Sequence, residues 1–277
     1  MKKIYPTLLL LVIAFFFSSC DDIAPDERYI PVEKTNPRRA VLIEDFTGQD
    51  CVNCPAAHRI MESLEKQYPE NVIPVSIHCG EFGISVDRTR YPAYIGLMQP
   101  EGNIYNDRYA IKAWPKGVVN RRSGALSPSD WTDVVRTEME TEAGVEIELG
   151  ATLGPDGNIT ITSTIKPMRD ISAGYQIWII ENGIVAFQKD KDLGRIPDYV
   201  HNNVFRACVN GTDGEAISIK EFIHTDLKHS IALRDNDRER WNPEQLYVVA
   251  FLQDDSGVIQ AARTHVATQS QTITSKQ

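Results

Sequence analysis

The sequence predicts a mixed α/β domain followed by an all-β sandwich, because the spacing of its apolar residues changes once along the chain. Between residues 38 and 143, short continuous apolar runs alternate with stretches of helical period. From residue 144 the apolar residues recur at every second position, and the helical period almost disappears. We therefore predict an α/β domain over residues 38–143, a β-sandwich over residues 144–268 and a polar tail over residues 269–277.

The α/β half opens with a β-α-β unit. Ala40–Ile43 is a continuous apolar run, as expected for a strand buried on both faces. The helix that follows has one apolar stripe, made of Ala57, Ile60, Met61, Leu64 and Tyr68. Residues 71–78 then predict a second strand, residues 114–120 a third strand, and residues 127–142 a closing helix. The junction between the first strand and the first helix carries a pair of cysteines.

The all-β half is predicted from alternation and turn residues. Residues 145–151 and 159–163 alternate on either side of a Pro-Asp-Gly-Asn turn, which predicts a hairpin. Asn182-Gly183, between apolar runs, predicts a second hairpin. Further strands are predicted at residues 204–209, 216–222, 246–252 and 258–266. Seven or eight short strands with turn signals between them indicate a sandwich.

The N-terminus has the composition of a secretory signal. Residues 1–19 combine two lysines with an apolar run and small residues before Cys20. The apolar run is too short for a spanning helix, which needs about 20 residues. The context of Cys20 resembles a bacterial lipobox, which implies that Cys20 is lipidated; a plain secreted protein is the alternative. Residues 20–37 are polar and broken by prolines, as expected for a tether.

The net charge of the chain limits the classes of molecule that it is expected to bind. The chain carries 38 acidic and 29 basic residues and a formal net charge of −9. An acidic, exported protein without a basic cluster is unsuited to nucleic acid, so no nucleic-acid partner is expected. The membrane is expected to be reached through the N-terminal lipid anchor.

Cys51 and Cys54 form a CxxC pair at a predicted helix N-terminus, the arrangement of thioredoxin-like redox domains. Unpaired backbone N–H groups and the helix dipole lower the pKa of a thiol at this position. Cys51 would then be the nucleophile, and Cys54 would resolve the mixed disulfide. Export also permits a permanent disulfide between the two.

The sequence resembles the thioredoxin superfamily in two further residues. Asp45, in the Asp-Phe dipeptide six residues before Cys51, matches a buried carboxylate that accepts a proton from the resolving cysteine; an aspartate that only caps the end of the strand is the alternative. Pro115 matches the cis-proline that faces the cysteines; an ordinary trans proline in a turn is the alternative. Two residues depart from the pattern: Asp50, which opposes thiolate formation or caps the helix, and Trp114, which narrows the substrate groove.

A closer resemblance is to a family of Bacteroidetes-type outer membrane lipoproteins named for a 28-kDa outer membrane protein. It is carried by EDFTGQDCVNCP, WPKGVVNR and YVHNNVFRA and by the signal with its lipobox. The resemblance implies an α/β thioredoxin-like domain followed by an all-β immunoglobulin-like sandwich domain, in a periplasmic or surface-facing lipoprotein of the cell envelope. It implies no defined reaction.

The remaining cysteines and histidines allow several interpretations. Cys79 and Cys208 are expected either as buried free thiols or as an interdomain disulfide, and Cys79 near Cys51 would be a third redox thiol. A metal site would combine the CxxC pair with His58 and His78, but a second ligand pair at suitable spacing is missing, so no metal or cofactor is expected. His58 is expected on the solvent side of the helix. His201, in YVHNNVFRA, is expected as a structural hydrogen-bonding residue at the start of a strand, with a role in a site as the alternative.

Two functional hypotheses follow. The first is a thiol-disulfide oxidoreductase in which Cys51, Cys54, Asp45 and Pro115 act on exported proteins or small disulfides. The second is a non-catalytic outer-membrane binding or assembly lipoprotein whose CxxC pair is a structural disulfide.

Overall fold

A computed structural model describes residues 37–87, 94–236 and 239–268 of the 277-residue chain. The signal peptide, Cys20, nearly all of the tether and the polar tail lie outside the described residues. Of the described structure, 48% is strand and 18% is helix. The described residues belong to one compact unit.

The β-α-β unit predicted around the cysteines is present. Its first strand, helix and second strand are β1 (Val41–Thr47), α1 (Cys54–Gln67) and β2 (Val72–His78). β1 and β2 are parallel, and β3 (Lys116–Val119) pairs antiparallel with β1. Two further helices are α2 (Pro100–Arg108) and α3 (Trp131–Met139). Every residue of β1 and β2 is buried, which explains their continuous apolar runs.

The second half consists of strands. They are β4 (Val145–Leu153), β5 (Asn158–Pro167), β6 (Ile171–Glu181), β7 (Ile184–Asp190), β8 (Gly194–His201), β9 (Val204–Cys208), β10 (Glu215–Ile219), β11 (Thr225–Ala232), β12 (Leu246–Asp254), β13 (Gly257–His265) and β14 (Ala267–Thr268). β4 and β5 form the predicted hairpin. β8 and β11 were not predicted.

One sheet spans both halves of the chain. Its strand order is β13-β12-β6-β9-β2-β1-β3, with β10 added beside β6. The two halves meet where β2 and β9 run parallel, with Ser76 opposite Val204. The Ser76 amide donates a hydrogen bond to the Asn203 carbonyl at 2.7 Å. β9 in turn pairs antiparallel with β6.

The predicted fold class is therefore wrong. The structure is mostly β and shows neither a separate thioredoxin-like α/β domain nor a self-contained immunoglobulin-like sandwich, because β1, β2 and β3 are part of the same eight-stranded sheet as strands of the second half. The physical reason is that β2 and β9 leave no free edge between the two halves. Periodicity reports which faces of a strand are buried, but it does not report which distant strand lies beside it. The boundary between residues 143 and 144 stays a prediction.

The second predicted hairpin is also wrong. β6 and β7 flank Asn182-Gly183, and Gly183 has the positive φ of a turn, but the two strands do not pair. β6 pairs instead with β12, β9 and β10, and β7 pairs with β8 in a separate two-stranded sheet. Hydrogen bonds to residues 202 and 203, which follow β8, hold the turn in place. The Gly183 amide donates to Asn202 Oδ1, and the Asn203 amide donates to Asn182 Oδ1.

The central strand β6 separates two cores. Ile177 and Ile179 contribute to a core shared with the four-stranded sheet β11-β5-β4-β14. Trp178 and Ile180 contribute to a core that contains Tyr105 of α2 and residues of β1 and β2. A third core packs α1 and α3 against β1, β2 and β3. β6 is thus buried on both faces in its second half.

No helix in the described part of the chain is both long and apolar enough to cross a membrane.

Candidate functional site

The cysteine pair forms a buried disulfide. Cys51 and Cys54 are bonded to each other, and their exposed fractions are 3% and 0%. Helix α1 begins at Cys54, and Pro55 occupies its first turn, where a missing N–H is tolerated. Asn53 precedes the helix without a side-chain capping bond. We call Gly48–Cys54 the cysteine turn.

β7 holds the cysteine turn through Gln188 and Lys189. Gln188 Nε2 donates hydrogen bonds to the carbonyls of Gly48 at 3.2 Å and Cys51 at 3.0 Å. The Lys189 amide donates to the Gln49 carbonyl at 2.8 Å. Lys189 Nζ lies 2.8 Å from Asp50 Oδ1. Asp50 is therefore paired with a cation and does not cap α1, contrary to one of the predicted alternatives.

Gln49 fixes the same turn from its other side. Its side chain is fully buried. Its Nε2 donates to the carbonyls of Ile95 and Phe187, and its Oε1 accepts from the Leu97 amide at 3.1 Å. The cysteine turn thus has hydrogen-bond partners in two separate parts of the chain.

Asp45 lies in β1 and is fully buried. Burial raises the pKa of its carboxyl well above the usual range. Its Oδ2 is 3.5 Å from His58 Nε2, which in turn lies 2.9 Å from Thr47 Oγ1. Burial lowers the pKa of His58 to about 4, so its imidazole is neutral near pH 7. Asp45 is thus a buried carboxyl, as the resemblance implies; its catalytic role stays a prediction.

His58, His78 and His201 form a buried histidine cluster beside Asp45. The ring centroids of His78 and His201 are 5.2 Å apart, and those of His58 and His201 are 6.4 Å apart. Burial is the main cause that lowers the pKa of His201 to about 3 and that of His78 well below its usual value. Tyr199 closes the cluster, with its hydroxyl 3.0 Å from His58 Nδ1.

The Trp114–Pro115 peptide bond is cis, as the resemblance implies. The register of β3, with Lys116 opposite Phe46, puts Pro115 at the end of β1 from which the cysteine turn leaves. Trp114 is directed toward Cys79, since its Nε1 donates to Cys79 Sγ at 3.4 Å. A catalytic role for Pro115 stays a prediction.

Cys79 and Cys208 are free thiols. The Cys79 thiol donates to Asn106 Oδ1 at 3.4 Å, and Cys208 Sγ lies 3.0 Å from the Tyr105 hydroxyl. Burial raises the pKa of both thiols to about 12, so neither is a thiolate near neutral pH. The free-thiol interpretation is therefore confirmed over the interdomain disulfide.

Within the described ranges, no group of three or more His, Cys, Asp or Glu side chains is arranged to hold a metal ion. The sulfur atoms of Cys51 and Cys54 are bonded to each other, so they are not available as thiolate ligands.

The sequence did not predict that β7 and β8 pack over the cysteine turn and His58. His58 was expected on the solvent side of α1, but it is mostly buried and contacts Tyr199 of β8. Gln188 and Gln49 were not identified, because nothing in a lone glutamine indicates burial. One signal was present: Tyr199 and His201 are two residues apart, so in a strand they share a face.

Comparisons with known proteins place the chain in a family. The family model described as outer membrane protein Omp28 matches residues 102–270, which is more than half of the chain. No curated protein sequence is significantly similar to the chain.

Among solved structures, HBP35 of Porphyromonas gingivalis is similar in fold, with a TM-score of 0.64 and 18% identity over 88% of this chain and 82% of that chain. A domain of the outer membrane lipoprotein Omp28 from Porphyromonas gingivalis matches with a TM-score of 0.33 and 19% identity, covering 46% of this chain and 91% of that one. A protein from Agrobacterium tumefaciens matches with a TM-score of 0.49 and 12% identity, over 86% and 98% of the two chains.

The match to the family model establishes both the family to which the chain belongs and its location in the cell. The chain belongs to the Omp28 family and is an outer membrane lipoprotein of the cell envelope.

Proposed function

We propose that this lipoprotein is a non-catalytic binding or assembly protein in which the Cys51–Cys54 disulfide is structural. The observation that carries the proposal is the burial of the pair: Cys51 is 3% exposed and Cys54 is fully buried. A redox-active cysteine is partly exposed, because its sulfur must reach a substrate disulfide, whereas buried structural cysteines are inert. An attacking thiol would first have to displace the hydrogen-bonded cover that β7 provides.

The disulfide has a structural task in this position. It closes the turn that directs the chain from β1 into α1, and Gln188 and Gln49 fix that turn against β7 and residues 95–97. In the chain-entropy model, a cross-link that closes a loop of four residues stabilises the folded state by about 2 kcal/mol.

The experiment is a disulfide-reduction assay on the full-length protein in detergent, with Cys51→Ser as the control and a soluble disulfide-bonded protein as substrate. We expect the wild type and the variant to give the same rate as thiol reductant alone. A rate enhancement that is present in the wild type and lost in Cys51→Ser would overturn the proposal.

The second candidate is the thiol-disulfide oxidoreductase, and Asp45 is the specific observation in its favour. A fully buried carboxyl with a raised pKa is suited to exchange a proton with a nearby thiol. In this mechanism the reduced pair would give two electrons to a substrate disulfide, through a mixed disulfide on Cys51, and would end as the Cys51–Cys54 disulfide. An exported reductant would then have to restore the dithiol. The same assay decides, with Asp45→Asn expected to slow turnover only if this candidate holds.

A further inference from the structure

A cavity of about 310 Å³ lies between α1 and β8, beside the histidine cluster. Its volume is at the lower end of the range for ligand pockets, about 300–1,000 Å³. Glu62 and Glu65 of α1 form one wall, Tyr199 and His201 of β8 form another, and Asn203 lies at the rim. We call it the α1–β8 cavity. We propose that it binds a protonated primary amine.

The fixed charges of the lining are negative. Glu62 and Glu65 are its carboxylates, and no lysine or arginine is among the described residues that line it. Glu65 is engaged, since its oxygens accept from Arg263 at 2.5 Å and from Asn203 Nδ2 at 2.9 Å. For Glu62 the described contacts include no hydrogen bond or ion pair, yet it acts electrostatically on Tyr199 across the cavity. Glu62 therefore supplies a negative charge at the wall, while Arg59, which is not part of the lining, acts on Tyr199 in the opposite sense.

His201 is the second, independent indication of a ligand. It lines the cavity and is 2% exposed, and neither ring nitrogen makes a hydrogen bond of normal geometry in the described structure, although the backbone of Ala186 and Phe187 lies nearby. A buried polar group without a partner is costly, so such groups in proteins point to an unseen partner. The imidazole stays neutral above pH 4, because burial lowers its pKa to about 3. A neutral imidazole offers one acceptor nitrogen.

An ammonium group fits this set of partners better than an anion or a neutral apolar group. It has three N–H donors and no acceptor, and the cavity offers carboxylate and imidazole acceptors. The Tyr199 ring adds a face that attracts cations. Two basic side chains near the lining are in ion pairs: Arg263 contacts Glu65, and Arg59 lies 4.0 Å from Asp190. An anionic ligand would meet the carboxylates of Glu62 and Glu65 and no lysine or arginine among the described lining residues.

The amine has two sources with the same chemistry, a free small amine or the lysine side chain of a protein.

The inference rests on the proposed function in one respect, since it names the ligand class of a binding lipoprotein. The two fail separately: an inert disulfide with an empty cavity would overturn only the amine proposal, and a redox-active disulfide with amine binding would overturn only the proposed function.

The test is ligand-observed saturation-transfer NMR on the full-length protein in lipid nanodiscs, with empty nanodiscs as the blank. The probe is n-butylamine, and n-butanol is its neutral control of similar size. We expect butylamine to bind more tightly than butanol. Glu62→Gln should weaken butylamine binding about fivefold, the effect of one charge pair at about 4 Å in water.

Glu140→Gln is the matched control, because Glu140 is an exposed carboxylate at the end of α3 that does not line the cavity. We expect this variant to bind butylamine like the wild type. Equal binding of butylamine and butanol, no binding of butylamine, or equal weakening by the two substitutions would overturn the proposal.

A second pair of probes separates the sources. Nα-acetyl-lysine methylamide carries the amine on a peptide, and the norleucine analogue lacks it. Binding of the lysine probe alone, with loss in Glu62→Gln, identifies a lysine side chain as a ligand. If only butylamine binds, the cavity takes free amines and excludes peptide-borne ones.

Discussion

At the scale of single residues, the site is defined by polar side chains that are buried from solvent. Gln188 shows this most directly, since one amide group donates to the carbonyls of Gly48, Cys51 and Lys189. Each of these carbonyls would lose a partner if the amide were removed. A buried polar group left unsatisfied costs about 1–3 kcal/mol.

We therefore expect Gln188→Met, which keeps the length of the side chain but not its donors, to lower the free energy of unfolding by about 1–3 kcal/mol. Urea denaturation of the full-length protein in detergent measures the change. Gln67→Met on the exposed side of α1 is the control and should change stability by less than about 0.5 kcal/mol. An unaltered midpoint for Gln188→Met would show that the cover of the cysteine turn contributes nothing.

The histidine cluster predicts a dependence of stability on pH. Burial depresses the pKa values of His58, His78 and His201 below their unfolded values. Below pH 6.5 the unfolded chain therefore binds protons that the folded chain does not, and stability falls as the pH falls from 6.5 toward 4. Asp45 acts in the opposite sense, because its raised pKa lets the folded state keep a proton that the unfolded state has lost.

The histidine contribution is tested with His58→Gln. One proton corresponds to about 1.4 kcal/mol per pH unit, and we expect the slope of stability against pH between 6 and 5 to decrease by about that amount. Denaturation curves at both pH values give the slope. His224→Gln, at an exposed position, should leave it unchanged. A wild-type protein equally stable at pH 5 and pH 6.5 would contradict this account.

These residues mark a limit of what sequence can predict. Cys51, Cys54 and Asp45 were predicted because they form a recognisable spacing, and the structure brings Asp45 together with His58 near the start of α1. Gln188, Tyr199 and His201 come from β7 and β8, more than 130 residues further along the chain. Their arrangement depends on a tertiary contact that no local pattern encodes.

At the scale of elements, the cysteine turn is the junction that sets the direction of α1. β1 ends at Thr47 and α1 begins at Cys54, and the disulfide lies within the connection. The elements themselves were predictable, because the apolar stripe of α1 and the continuous runs of β1 and β2 match their burial.

Replacing both cysteines by serine should therefore cost stability. We expect the Cys51→Ser/Cys54→Ser protein to lose about 2 kcal/mol of unfolding free energy, because the unfolded chain regains the entropy that the short ring removes. Val52→Ala changes the same turn without opening the ring and should stay within about 0.5 kcal/mol of the wild type. If the double variant is as stable as Val52→Ala, the disulfide has no structural task.

The connection after β6 shows why element prediction does not extend to pairing. Asn182-Gly183 makes a turn, as its residues predict, and Gly183 has a φ of +70°. The edges of β6 are already occupied by β12 and β9, so β7 cannot pair with it and lies instead against the cysteine turn. The turn was predictable from its residues, but the strands with which β6 and β7 pair were not.

At the scale of the whole molecule, the mixed sheet makes the two halves depend on each other. The core beneath β1 and β2 contains Trp178, Phe205 and Phe251, which all belong to the second half. Separating the halves would expose this face to water. The cost would be about 25 cal/mol for each square ångström of apolar surface.

We therefore expect residues 38–143, expressed alone, to be unfolded or aggregated, whereas residues 38–268 unfold in one cooperative transition. Circular dichroism and urea denaturation of the two fragments make the comparison. A fragment 38–143 with a cooperative transition and native-like helix content would restore the two-domain fold that the sequence suggested.

The most direct test of the central claim, that the disulfide is structural, is its reduction potential. The full-length protein in detergent would be equilibrated with thiol–disulfide buffers and the thiols of Cys51 and Cys54 counted by mass spectrometry. A buried structural disulfide predicts a potential below about −300 mV, so that the pair stays oxidised in glutathione buffers. A potential between about −270 and −180 mV, the range of thioredoxin and protein disulfide isomerase, would contradict the account.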